Sequence, residues 1–226
     1  MKDHTLAKLG GLCSILVGIS YLVIGVCYVL LPLEQRPGAA PAKLLAAVAQ
    51  NPTLILIEYW AFALGAVFAL AAVLAISERV RSANAGWVRW TSSMAFLGFA
   101  ITGITYFRLI AMVPRRAMLF ATGDASLQMT LAATQPDLYL DPQGWLGFGA
   151  IGLWVLVVSV LAFRANMLPK PLVYVGIAAG VLYCLVVVGY VSGIETLTAI
   201  AAALGGIVLG PIWYIWNGII LRRTSA

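Results

Sequence analysis

Glu58 and Arg108 carry the most reactive chemistry in this chain, because each ionisable side chain stands inside a long apolar run where a bare charge is expensive. A carboxyl and a guanidinium at one depth can neutralise each other as a buried ion pair. Alternatively, the carboxyl can take up a proton or a cation and serve as a ligand site. Glu58 falls five residues after the start of the run Thr53 to Ile76, and Arg108 falls four residues before the end of the run Trp87 to Met112. The two runs are joined by a short loop and should form an antiparallel hairpin. At about 1.5 Å of rise per residue, both side chains then sit roughly 6–8 Å below the same membrane face. Contact between them, direct or through one bridging water, is expected. Ala61, Gly65, Phe68 and Ala72 follow Glu58 on its own helical face, and such small residues point that face toward other helices.

A second cluster lies near the C-terminus, where Trp213, Trp216 and Asn217 precede the basic pair Arg222-Arg223. Aromatic rings and an amide near a membrane surface suit a lipid or quinone headgroup pocket, and they equally suit an aromatic belt. Pro211, just upstream, removes an amide donor and is expected to kink or loosen its helix.

The rest of the inventory argues against catalysis. His4 is the only histidine, so a histidine-based triad or a histidine-ligated metal centre cannot be assembled in the membrane, and no metal site or cofactor is expected. Cys13, Cys27 and Cys184 fall inside apolar runs without metal-ligand or disulfide spacing, so they read as small apolar residues. The net charge of +6 does not gather into a basic patch interleaved with aromatics, and no nucleic-acid partner is expected.

The elements that must position these residues are membrane spans. A hydrophobic share of 62% and a mean hydropathy of +0.99 leave no length for a separate soluble domain. Since a bilayer core needs about 20 apolar residues per helix, six candidates qualify. They are Gly10 to Leu31, Thr53 to Ile76, Trp87 to Met112, Gly144 to Phe163, Leu172 to Tyr190 and Thr198 to Leu221. The expected fold is an all-α membrane protein, six transmembrane helices forming one bundle and one domain over residues 1–226. The first run follows Lys2 and Lys8 as a signal peptide would, but it is longer than the about 7–15 residues of a signal core and reads as a retained span.

Charge sets the expected orientation. Lys2, Lys8, Arg79, Arg81, Arg89, Arg164, Lys170, Arg222 and Arg223 fall on one side, and Arg36, Lys43, Arg108, Arg115 and Arg116 on the other. The surplus marks the first side as cytoplasmic and places both termini there. The first outer loop holds Lys43 to Ala49, a short helix-forming run expected at the interface. The long outer loop from Val113 to Gln143, between spans three and four, should contain one or two short interfacial helices.

Glycine spacing bears on packing. Gly11, Ser14, Gly18, Tyr21, Gly25 and Tyr28 form one stripe on the first span that should face other helices, and Gly176 with Gly180 and Gly206 with Gly210 read as close-packing pairs. The pattern Gly18-x-x-Tyr21 with Tyr28 is echoed by Gly180-x-x-Tyr183 with Tyr190, although spans two and six do not repeat each other.

Three segments resemble a bacterial multispan membrane family catalogued as domain of unknown function 4386. They are Gly18-Ile-Ser-Tyr21, Leu161-Ala-Phe-Arg164-Ala-Asn-Met-Leu168-Pro169 leading to Gly176 and Tyr183, and Ile212-Trp213-Tyr214-Ile215-Trp216-Asn217-Gly218. The resemblance implies six spans and carries no activity. The leading expectation is a non-enzymatic protein of the cell inner membrane, either an accessory subunit of a larger membrane assembly or a binder of a lipophilic small molecule. Its expected partners are membrane lipids, other membrane protein subunits or that ligand. The competing expectation is a small proton- or cation-linked transporter that uses Glu58 and Arg108.

Overall fold

A computed structural model of the chain describes residues 2–223, with side chains placed from Thr5 onward. The side chains of Lys2 and His4 lie outside those described. Nine α-helices cover most of the described residues: α1 (Lys2–Leu30), α2 (Pro41–Gln50), α3 (Thr53–Val80), α4 (Ala85–Thr122), α5 (Ala125–Ala133), α6 (Ile151–Arg164), α7 (Lys170–Ser192), α8 (Glu195–Ala202) and α9 (Gly210–Arg223). A π-helical segment, Trp145–Ala150, leads into α6, and another, Ala203–Leu209, joins α8 to α9. Six continuous helices are long and apolar enough to cross a membrane: Thr5–Leu30, Thr53–Val80, Ala85–Thr122, Trp145–Arg164, Lys170–Ser192 and Glu195–Arg223.

The six spans form a closed ring. α1 packs on α3, α3 on α4, α4 on α6, α6 on α7, α7 on α8 and the π segment after it, and α9 returns to α1. Lipid supplies no hydrophobic drive between helices, so close backbone approach and interhelical hydrogen bonds hold the seams. Gly11 faces the Gly218 carbonyl, Gly152 and Gly180 oppose one another, and the expected stripe on α1 lies against the last span. Ser14 donates to the Tyr214 carbonyl at 2.6 Å across that seam. At another, the buried Ser77 hydroxyl accepts from Ser92 at 2.6 Å and from the Trp154 indole at 3.0 Å, tying α3 to α4 and α6. Trp154, Trp213 and Tyr214 are among the largest fully buried side chains.

The third span departs from its expected length. It runs through Pro114 to Thr122 instead of ending at Met112. Proline removes one donor but does not end a helix whose neighbours hold it, and Leu109, Val113 and Ala117 are buried against Leu45, Val48, Leu131 and Leu138. At 38 residues the helix is about 57 Å long, well beyond a hydrocarbon core of about 30 Å. Its overhang, with α2 and α5, builds an apolar cap on the end of the bundle away from the termini. Arg116 fastens that cap, its guanidinium donating to the Leu131 carbonyl at 2.6 Å and to the Thr134 hydroxyl. Arg36 likewise caps the end of α1, donating to the Leu31 and Val29 carbonyls at 2.9 and 3.0 Å.

Pro211 does not interrupt the last span. The helix widens into the π segment immediately before it, a geometry suited to a place where the regular amide ladder is broken.

Candidate functional site

Glu58 is 5% exposed, one and a half turns into α3, on the face that also buries Ile55, Tyr59 and Ala63. Ring contacts fix the register of the α3–α4 hairpin. Tyr59 meets Tyr106 at 5.6 Å, Phe62 stacks on Tyr106 at 4.1 Å, and Trp60 meets Phe107 at 6.0 Å. Glu58 and Arg108 therefore share a depth, as the sequence predicts. Even so, no ion pair joins them among the described residues, where the recorded bridge is Arg81 to Glu78 at 3.2 Å on the surface. Helical phase explains the correction. Tyr106 occupies the seam with α3, and at about 100° per residue Arg108 points some 200° around α4 from it.

Tyrosines surround the carboxyl instead. Tyr59 and Tyr106 lie beside it on the hairpin, with Tyr139 from the long loop and Cys27 across the seam with α1 close by. Tyr139 follows the short 3-10 turn Pro136–Leu138, whose Leu138 is buried in the cap with Ile55 and Tyr59. This anchoring brings Tyr139 close to Tyr59. Tyr139 itself is 38% exposed at the edge of the cap. Sequence reasoning missed Tyr59, Tyr106 and Tyr139 as neighbours of Glu58. Tyr59 was open to inference from its adjacency, but Tyr139 arrives by a loop fold that no periodicity announces.

The C-terminal cluster is core. Trp213 is 1% exposed, edge-on to Trp154 at 5.5 Å, and Asn217 is 2% exposed with its amide donating to the Trp213 carbonyl at 2.8 Å. Trp216 is half-buried. A helix-internal hydrogen bond satisfies the amide, and packed protein covers the indole. Trp213 and Asn217 therefore present no open face to a head group. No group of metal-ligating side chains occurs among the described residues.

A ring of six apolar helices with a buried carboxyl under a helical cap defines a polytopic membrane protein. Comparison by family places it more narrowly. The model of a domain of unknown function, DUF4386, matches residues 16–218, and the chain belongs to that family. No curated protein and no solved structure shows significant similarity to it.

Proposed function

We propose that this chain is a non-enzymatic binding protein of the cell inner membrane, with both termini cytoplasmic, that exchanges a proton for a lipophilic cation at Glu58. The observation behind this reading is the carboxyl itself, 5% exposed with no cationic side chain paired to it among the described residues. A carboxyl in such surroundings needs a neutralising partner, which is either a proton or a cation. The faces of Tyr59 and Tyr106 favour an organic cation, since aromatic rings attract positive charge more strongly when both are desolvated. Entry to the site involves the segment around Tyr139, the piece of the cap that meets Tyr59. Transport would be the same exchange completed across the membrane, and it would rest on Glu58 without Arg108.

Dicyclohexylcarbodiimide, an apolar reagent for protonated carboxyls, tests the reading on purified protein in liposomes. Peptide mass spectrometry should find the adduct on Glu58, and prior addition of tetraphenylphosphonium should suppress it. An unmodified Glu58, or labelling indifferent to the cation, would remove the proposal. Uptake of tetraphenylphosphonium with and without a pH gradient separates a carrier from a binder, with Glu58→Gln as the control in both assays.

A further inference from the structure

We infer that the terminal end of the bundle holds an anionic phospholipid in a notch between α1 and α9, bound through its phosphate by Lys8 and Arg222. The notch is open, about 480 Å³, and lined by Lys8, Leu9, Leu12 and Arg222. That volume falls within the about 300–1,000 Å³ common for small-molecule sites. Two cations and two leucines are an amphipathic set, and their order along the helix matches the order of a lipid's parts. Lys8 lies near the start of the first span, and Leu12 follows one turn deeper, about 6 Å into the membrane. Leu9 is 54% exposed and Leu12 44%, so both present apolar surface to the acyl chains that would lie below a bound head group.

The second cation is held by packing. Gly11 has no side chain, and the aliphatic stem of Arg222 lies across its backbone, 2.8 Å from where a β-carbon would stand. An arginine laid over the α1 backbone keeps its guanidinium at the rim with less freedom to lose on binding, and its planar fork matches two phosphate oxygens. Neither Lys8 nor Arg222 has an ion pair or hydrogen bond among the described residues. The surrounding end is positive as well. Arg89, Arg164, Lys170 and Arg223 are exposed there, and the acid Glu78 is already joined to Arg81. Basic recesses between spans at a cytoplasmic face recognise anionic head groups in this manner, whereas a zwitterionic lipid adds a choline that two cations repel.

Native mass spectrometry of the detergent-purified chain, titrated with phosphatidylglycerol and with phosphatidylcholine, provides the test. A one-to-one phosphatidylglycerol adduct should form preferentially. Its affinity should fall about fivefold in Lys8→Gln or Arg222→Gln and about thirtyfold in the double variant. Lys8→Arg should retain it, and Arg89→Gln should change it little. Equal binding of phosphatidylcholine, or an Arg89→Gln loss as large as that of Lys8→Gln, would replace the site with diffuse surface attraction and overturn the inference. Inorganic phosphate is the competing source of the same chemistry. If millimolar phosphate displaces the lipid fully and binds the Leu12→Asn variant as it binds the parent, the notch is a soluble-anion site and the lipid assignment fails. Melting temperatures of all variants identify any that lose binding by unfolding, and in that case Lys8→Arg and Arg89→Gln decide the question.

Discussion

Gly176 on α7 shows what a single hydrogen atom secures. The Ser159 hydroxyl and the Trp213 indole nitrogen crowd the position a β-carbon would take, and both are buried without hydrogen-bond partners among the described residues. Gly176→Ala should therefore destabilise the bundle by about 1–3 kcal/mol, the usual penalty for overpacking a tight core, read as a lower melting temperature in detergent. Gly193 contrasts with it, because no atom lies near its absent side chain, though its φ of 68° is left-handed. There an alanine should cost only about 1 kcal/mol, through backbone strain. Glu58 and Arg108 provide a different residue-scale test. Since no ion pair or hydrogen bond joins them among the described residues, Glu58→Gln and Arg108→Gln should add within about 0.5 kcal/mol, whereas a coupled pair would depart from additivity. Their common depth was legible in the sequence, because rise per residue and a short hairpin loop fix it. Their separation was not, since the direction a side chain faces depends on which neighbour takes the seam, and Tyr106 takes it here.

Caps and continuity decide how the elements hold together. Asp141 accepts from the backbone amides of Trp145, Leu146 and Gly147 at 3.0, 2.8 and 2.7 Å, closing the open end of the π segment that starts the fourth span. Asp141→Ala should cost about 1–2 kcal/mol, as lost helix caps do, and should speed amide hydrogen exchange across residues 145–150 first. The short helix α2 was legible from the run Lys43 to Ala49, and it runs Pro41–Gln50. Its surroundings were not, because Leu45 and Val48 are buried against the α4 overhang, a surface hidden as long as Pro114 is read as a stop. The two π segments left no sequence signal at all. They answer to local demands, a capped start in one case and Pro211 in the other, that become visible only once the helices are packed.

For the whole molecule, orientation is the quantity to measure. Among the described residues Lys8, Arg79, Arg81, Arg89, Arg164, Lys170, Arg222 and Arg223 gather at the end that carries the termini. By the positive-inside rule this end should face the cytoplasm. Reporter fusions at the C-terminus should be active only for a cytoplasmic reporter, and activity of a reporter that works only outside the cytoplasm would reverse the assignment and place the α2–α4–α5 cap on the cytoplasmic side. The six spans were readable from apolar length alone, because a bilayer sets that length from outside the chain, and their ends fall within about five residues of those expected except at the third span, which runs on to Thr122. Closure of the ring was foreshadowed by the glycine stripe on α1, although the stripe could not name its partner.

That closure makes the polypeptide's ends interchangeable with one of its loops. α9 returns to α1, and Lys8 and Arg222 line one notch, so the start of α1 and the end of α9 lie side by side. A circular permutant that links the native ends through a short flexible peptide and opens between Ser82 and Ala83 keeps Asn84 attached to α4, whose first turn it caps through the Trp87 amide at 3.2 Å. Every span retains its direction in such a rearranged chain, and the new ends appear on the same side as the old ones. Ends that lie together in a fold tolerate this surgery, so the permutant should insert and assemble with a melting temperature near that of the parent.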